Sequence, residues 1–567
     1  MTDALPIPHT LPVLDRFREL AMTCGDGEAM RTPDGECYTW SEWYVASRMF
    51  AAALVEAGVQ RGDRIAVLAA NRPLWPIADL GALLAGVVSV GIYPTSASIQ
   101  VIEMLADSEA KVLIVDSEEQ VAKVLVGCAK LPKLTHIVSL TGEAPGVISW
   151  SDWLASGARA MENGSAVAPL ETAARDSKGT DIAVMIYTSG STGRPKGAQI
   201  SLDCLRASAA STQATLGLTD HDSSLSFLPF SHAGERIFGL YTRIVVGMPV
   251  MIVSDITDVW SAAATYEPTL FGGLPRFYEK VSEALHIAEQ NGADSDAHRA
   301  IVKQHFGGRL RIATSGGAAL PVEVARHLEN NGVVVLGAYG QTEHLCVTFH
   351  RHDRYDFESV GMPMPGTELR IADDGEVLVR RSALTFSGYH GLPDETRDAF
   401  TDDGEWLYTG DLGVITHCGT LVISGRKKEL IALSTGKKIA PLPIEAALTD
   451  GIWISHAMLY GEGNKFISAL LWLGRPAAEA WASEHHATGS LEELALQSEI
   501  RAAVAEMVQK VNVNLSRSEQ IREWVLLGSE PTIGGGELTP TLKLRRKDVA
   551  SQYGHLLEHF YKVTTVR

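Results

Sequence analysis

Through the first half of the chain, short apolar runs that end in turn residues alternate with longer segments of helical spacing, and this alternation limits the fold more than any other feature. RIAVLAA (64–70), KVLIVD (111–116), HIVSL (136–140) and DIAVMIY (181–187) are too short for helices and too continuously apolar for half-exposed strands. They read as strands buried on both faces. NRPLWPIADLGALLAGVVSV (71–90), QVAKVLVGCAKL (120–131) and LDCLRASAASTQATLG (202–217) read as helices between and after them. Such alternation gives parallel, doubly wound sheet. RLRIATSGGAAL (309–320) and VVVLGAYGQTEH (333–344) again place a strand before a glycine-rich polar turn. From Gly361 to Val422 short alternating strands and turns (ELRIADDGEVLVR, GEWLYTGDLGVI, GTLVISG) predict an antiparallel subdomain. GRKKEL (425–430) reads as a linker. Beyond it PIEAALTD, the pair HAMLYGEG and KFISALLWL, and a helical region from about Leu491 to Val513 form a small α+β unit. The expected fold class is therefore α/β: a large N-terminal domain (1–425) with doubly wound sheets and a β-rich subdomain, then a small mobile α+β C-terminal domain (426–567).

Bulk properties narrow the function. A chain of 567 residues exceeds one ordinary core. With 68 acidic against 49 basic side chains, its formal charge of −19 argues against nucleic acid or an anionic bilayer as partner. The six cysteines (24, 37, 128, 204, 346 and 418) show no metal-ligand spacing and read as reduced, mostly packed thiols. Neither a signal peptide nor a membrane-spanning run is evident, so a cytoplasmic enzyme is expected.

YTSGSTGRPKGAQIS (187–201) follows directly on one of the buried strands, at the carboxyl end where open α/β sheets bind ligands. Small residues let successive backbone N–H groups converge as an anion nest. Thr188, Ser189, Ser191 and Thr192 add hydroxyl donors, Gly190, Gly193 and Gly197 permit close approach, and Lys196 adds a charge. Phosphate is the natural guest. The spacing is not a Walker A loop, because position 195 is proline and Gly197 follows the lysine.

The pattern S-G-S-T-G-x-P-K-G resembles the phosphate loop of the adenylate-forming superfamily, which comprises acyl-CoA synthetases, luciferases and the adenylation domains of peptide synthetases. AYGQTEH (338–344), YTGDLG (408–413), ISGRKKEL (423–430) and GELTPTLKLRR (536–546) resemble four further motifs of that family, in its order. LPFSHAGER (228–236), PTLFGGLPRFYEK (268–280) and NRPLWPIADLG (71–81) resemble the long-chain fatty acyl-CoA synthetase branch. The likeness runs from about Tyr38 to Lys547. It implies ATP-dependent activation of a carboxylic acid to acyl-AMP with release of pyrophosphate, then thioester formation with CoA. On the same likeness, Thr188–Gly193 and Lys196 clamp the β- and γ-phosphates, Glu343 and Thr188 hold Mg²⁺, and Thr342 contacts the α-phosphate. Tyr339 and Gly340 lie at the adenine with Gly317, Ala318 and Ala319 along its other edge, and Asp411 and Arg426 hold the ribose. Lys543 bridges carboxylate and α-phosphate, Lys428 is the pivot of a second domain orientation, and His232 lies between acid pocket and thiol tunnel.

Three departures bear on the thiol step: Thr435 where relatives carry a second glycine, no histidine in AQISLD (198–203), and Arg381 in place of glycine. They keep open an alternative, an adenylation-specialised enzyme that delivers acyl-AMP to a carrier protein or a separate acyl-acceptor partner. A non-catalytic sensor would have lost Lys543, Glu343 or the phosphate loop, and none is lost. The acid pocket is expected from 232–240, 270–276, 312–318 and 336–346, with Phe238, Phe271, Leu336 and Cys346 as apolar walls. A long-chain fatty or a bulky polycyclic acid fits that description, in lipid metabolism or natural-product biosynthesis. A homodimer stands open beside a monomer.

Overall fold

The computed structural model describes residues 5–188, 195–539 and 543–563, with the side chains of Cys346, Lys562 and Val563 left aside. Two large sheets form the first part of the chain. In the eight-stranded sheet, Ile182–Thr188, Val88–Ile92, Arg64–Leu68, Val112–Val115, His136–Ser139 and Val147–Ser149 run parallel in that order. In the nine-stranded sheet, Val335–Gln341, Ile312–Ser315, Leu270–Gly273, Ser224–Ser226, Val250–Ile252 and Glu28–Arg31 are the parallel centre. The largest core lies between the two: Ile65, Val67 and Ile186 of one sheet join Val250, Ile252 and Ile312 of the other.

The helices begin where the sequence supplies caps. Thr39 and Glu42 form a capping box on Trp40–Glu56, and Ser201 caps Leu202–Leu216, which ends at Gly217 in the left-handed region.

One reading from sequence needs correction. The stretch 71–90 is not one helix: Leu74–Leu84 is helical, Gly86 turns the chain at φ +69°, and Val88–Ile92 is a central strand. Its β-branched run overrides the helical pattern before it. Lys196–Ser201, the end of the glycine-rich stretch, is a strand antiparallel to Ile182–Thr188 with Thr188 opposite Lys196, and the expected helix follows it as Leu202–Leu216.

Leu369–Ile371, Glu376–Arg380, Trp406–Ile415 and Leu421–Arg426 form the expected antiparallel sheet. A short turn, Lys427–Glu429, leads on to Ile454–Tyr460 and Ile467–Leu473, which are antiparallel, and Ile521–Leu527, which pairs parallel to the latter. This three-stranded sheet has its own core, packing Ile444, Leu471, Ile500 and Val504 on one side and Trp472, Val549 and Leu557 on the other. Of the five cysteines with described side chains, Cys24, Cys37 and Cys418 are exposed, contrary to the packed role expected of most.

One buried polar network ties the helix Leu74–Leu84 and the strand Val88–Ile92 to the helical segment Gly234–Tyr241. Arg236 is fully buried and ion-paired to Asp79, donates to the Ser89 hydroxyl at 2.7 Å and lies over the Trp75 ring; Tyr241 donates to the other Asp79 oxygen at 2.6 Å. Removing one partner of such a pair strands a charge in a dry interior. Asp79→Ala should therefore lower the unfolding free energy by about 3–5 kcal/mol, read from urea denaturation, whereas exposed ion pairs such as Arg397–Asp394 should cost almost nothing when broken.

Candidate active site

One cleft of about 3760 Å³ takes in the carboxyl ends of the parallel strands of both sheets, the antiparallel subdomain and the small domain. Thr188, Lys196, His232, Gly317, Ala318, Ala319, Tyr339, Gly340, Thr342, Glu343, Asp411, Arg426, Lys428 and Lys543 all line it. Ser189, Gly190, Ser191, Thr192 and Gly193 lie outside the described residues, as do positions 540–542 beside Lys543.

The best-defined group centres on Asp411. Gly410, at φ +73°, lets the strand turn at a register shift, and its N–H is held by the Glu376 carboxylate at 2.9 Å. Asp411 is thereby aimed into the cleft opposite Arg426 on the neighbouring strand. Its Oδ1 lies 3.0 Å from Arg426 Nε, and its Oδ2 accepts from the Tyr339 hydroxyl at 2.6 Å. Burial and the adjacent Asp411 charge push the Tyr339 phenol well above its usual pKa, so it stays a donor. Gly340 must be glycine, because a Cβ there would lie 2.5 Å from the Leu345 carbonyl oxygen. Gly317, at φ +81°, turns the chain after the strand Ile312–Ser315 so that Gly317–Ala319 line the cleft.

Glu343 sits at the tip between Val335–Gln341 and His344–Phe349, and its Oε1 accepts from the Tyr389 hydroxyl at 2.5 Å. The Lys196 ammonium lies 5.2 Å from the centre of the same Tyr389 ring. Tyr389 thus joins the loop lysine to the turn carboxylate. The sequence gives no signal for it, since it is 46 residues from Glu343 in an unremarked SGYHG turn. Glu343, Thr188 and Thr342 all line the cleft, and carboxylate and hydroxyl oxygens are the donor type that suits Mg²⁺.

Lys543 enters from the small domain. Thr539 and Lys543 are paired through Lys543 N–H to the Thr539 hydroxyl (3.0 Å) and Thr539 N–H to the Lys543 carbonyl (2.8 Å). Arg546 anchors the base of this turn, donating to both oxygens of buried Glu445 at 2.6 and 2.8 Å and to the Leu459 carbonyl. The ammonium meets the water of the cleft yet is walled by protein, and that desolvation, with the Arg426 charge, lowers its pKa; Asp411 and Glu429 oppose the shift. Its charge is also felt at His232, placing the two across one space. Lys428 is exposed and follows Lys427, whose ammonium is held by Asp374 and Glu376 at 2.6 and 2.7 Å. These ion pairs tie the chain to the antiparallel sheet one residue before Lys428.

The acid pocket needs two corrections. Phe238 lines the cleft, but Phe271 does not: it alternates to the far face of its strand and packs on Phe227, Trp260 and Phe306, leaving Leu270 and Gly272 toward the cleft. Leu336 likewise lies in the core between the sheets, and Val335 and Gly337 line the cleft instead. The side chain of Cys346 is outside the described set. The cleft continues beyond Phe238 to Thr212, Leu216 and the buried pair Glu235–Arg243, which sequence reading did not single out.

The departures from the family pattern acquire local explanations. Thr435 is exposed in the turn between Ile431–Ala432 and Lys438–Ile439, where Gly436 takes the positive φ of +81° and Thr435 does not. The branched side chain therefore imposes no backbone strain there. Arg381 stacks on the Phe400 ring at 4.9 Å, away from the cleft, and Ser201 in AQISLD serves as a helix cap.

A family model described as AMP-binding enzyme matches residues 17–390, and one described as AMP-binding enzyme C-terminal domain matches 428–565. The chain is 34% identical to the long-chain-fatty-acid–CoA ligase FadD15 of Mycobacterium bovis over 562 aligned residues, covering 91% of this chain and 90% of that protein. It is 27% identical to the long-chain-fatty-acid–CoA ligase heimdall of Drosophila melanogaster, covering 98% and 95%. The crystal structure of the anthranilate CoA ligase AuaEII in complex with anthranoyl-AMP matches with a TM-score of 0.78 over 96% of this chain and 98% of that one, at 21% identity, a likeness of fold.

The electrostatics of His232 give a direct check. Its Nδ1 accepts from the Gly234 N–H at 3.1 Å, which puts the ring proton on Nε2. Burial and the Lys543 charge lower its pKa from 6.5 to about 4, and burial lowers that of His344 to about 3. The unfolded chain binds these protons near pH 6.5 and the folded chain refuses them, so the stability they contribute is complete above pH 6.5 and is lost as pH falls toward 4. In ¹⁵N-histidine spectra His232 should be neutral, with its proton on Nε2, at pH 6; titration near 6.5 would contradict the placement.

Proposed function

The chain belongs to the AMP-binding enzyme family and is an AMP-forming acid–CoA ligase, and from that premise we propose that its acid is a long-chain fatty acid. The observation that carries the mechanistic reading is the convergence on one cleft of Lys196, Thr342–Glu343, the Tyr339–Asp411–Arg426 group and Lys543.

A carboxylate attacking the α-phosphate of ATP brings two anions together, so the protein must supply positive charge and alignment more than covalent help. Lys196 and the Thr188 hydroxyl would receive the outer phosphates. Mg²⁺, when bound, neutralises phosphate charge; Glu343, held in place by Tyr389, and Thr188 are the residues that would hold it. Asp411 accepts from the ribose hydroxyls while Tyr339 and Gly317–Ala319 flank the adenine. Lys543 reaches the carboxylate and the α-phosphate, and its lowered pKa and mobile ammonium suit a charge that passes from one to the other. His232, neutral and offering an N–H, stands at the mouth of the acid pocket.

For the second step, the small domain must present its Ile431–Ile439 hairpin to the thiol, and we assign the pivot to Lys428, the first residue past the Lys427 anchor. The hairpin's glycine takes the only left-handed position in its turn, which supports thioester formation on this chain over delivery of acyl-AMP elsewhere. The long-chain assignment is supported by the named relatives and by the extension of the cleft past Phe238 to Leu216. Among the described residues no helix is long and apolar enough to cross a membrane; with the acidic composition, this supports a cytoplasmic enzyme.

The test is mass spectrometry of products from the purified chain with ATP, Mg²⁺ and a panel of short-, medium- and long-chain fatty acids and polycyclic acids, with and without CoA. Long-chain acyl-CoA formed only when CoA is present is the expected result. Preference for a short or polycyclic acid would overturn the substrate assignment, and acyl-AMP that accumulates unaffected by CoA would overturn the two-step reading.

A further inference from the structure

On the rim of the cleft, away from the residues above, two helices end side by side. Glu289 lies in the last turn of Pro275–Gln290 with His286 just before it, and His327 lies in the last turn of Val322–Asn330. His286 Nδ1 is 3.0 Å from one oxygen of Glu289 and His327 Nε2 is 2.9 Å from the other, with one potential ligand atom from each residue within 4.8 Å of the rest. The two imidazole rings stack at 3.8 Å between centres and 14° between planes. We propose that these three residues bind Zn²⁺, with a fourth position open to water.

The donor set selects the ion. Two imidazoles and one carboxylate suit Zn²⁺, whereas Mg²⁺ and Ca²⁺ prefer oxygen alone. Zinc bonds of ~2.0–2.1 Å would hold the ligand atoms roughly 3.3 Å apart, and because a metal lies in the plane of each imidazole, binding would also turn the exposed His286 ring out of its present stack on His327. The site also has the outer support that metal-binding histidines need: the Ser282 hydroxyl meets His327 Nδ1 at 2.7 Å and can accept its proton, freeing Nε2 for a metal. Both helices present their carboxyl ends, where the partial negative charge favours a cation. Binding exchanges a proton between Glu289 and His327 for the ion, so affinity must fall with acidity.

The position matters because both helices start at the active site, one after Gly272–Gly273 and the other after Gly317–Ala319. Zinc would tie their far ends together and brace the wall that carries the acid pocket and the adenine loop.

The experiment is calorimetric titration of the nucleotide-free full-length chain with Zn²⁺ alone, in a Cys24→Ser, Cys37→Ser, Cys418→Ser background that removes the exposed thiols. One zinc per chain is expected, with affinity lower at pH 6 than at pH 7.5. His286→Ala and His327→Ala should each weaken it at least tenfold, and Ser282→Ala about tenfold. His286 is exposed, so its substitution leaves the fold intact, as circular dichroism would verify. Absence of binding at sub-millimolar zinc, or binding unchanged in His286→Ala and His327→Ala, would overturn the proposal.

Discussion

Asp411 is the point on which the arrangement of the site depends. One carboxylate, buried in an antiparallel strand at a glycine-dependent register shift, is joined to Tyr339 on the strand Val335–Gln341 of the nine-stranded sheet and to Arg426 on the strand that leads toward the small domain. Three pieces of chain, far apart in sequence, are registered against one another by its two oxygens. Hydrogen bonds to a buried charge are among the stronger ones a protein makes. The same carboxylate lies within electrostatic reach of Lys543, so it also sets the field in which the small domain's lysine sits.

Charge explains why a chain with a formal charge of −19 gathers Lys196, Arg426 and Lys543 into one cleft. ATP and a carboxylate repel each other and would be repelled by an acidic surface; the cationic groups reverse that field locally. Lys543 is the adjustable member. Its backbone turn is anchored through Arg546 and Glu445, while its ammonium stands in the shared space of the cleft. On the proposed reading, its place on the small domain would let the cation be brought in for one half of the reaction and withdrawn for the other.

Much of this was legible in the sequence, for physical reasons that differ by element. Runs such as VLIV at 112–115 are apolar on both faces and admit few structures but a buried strand. The motif residues Tyr339, Glu343, Asp411, Arg426 and Lys543 line one cleft, and each sits where the local pattern already marks a break: a turn, the end of a strand or, for Asp411, the glycine of a mid-strand irregularity. What was not legible depended on facing. Phe271 and Leu270 differ by one residue, and a strand's alternation sends one to the core and the other to the cleft, which spacing alone could not decide. Val88–Ile92 was hidden because an apolar helix and a buried strand follow each other across a single glycine turn. Tyr389 gains its meaning only from a long-range contact with Glu343, and no local signal announces it.

The proposed division of labour between the two halves of the reaction rests on Lys543, and one measurement addresses it directly. Lys543→Ala would be assayed separately for formation of acyl-AMP from acid and ATP, and for acyl-CoA formation from supplied acyl-AMP and CoA. The account predicts that the first rate falls by roughly two to three orders of magnitude, as for loss of a group that stabilises transition-state charge, while the second stays within about a few-fold of the unsubstituted enzyme. Equal losses in both halves, or normal acyl-AMP formation, would contradict it.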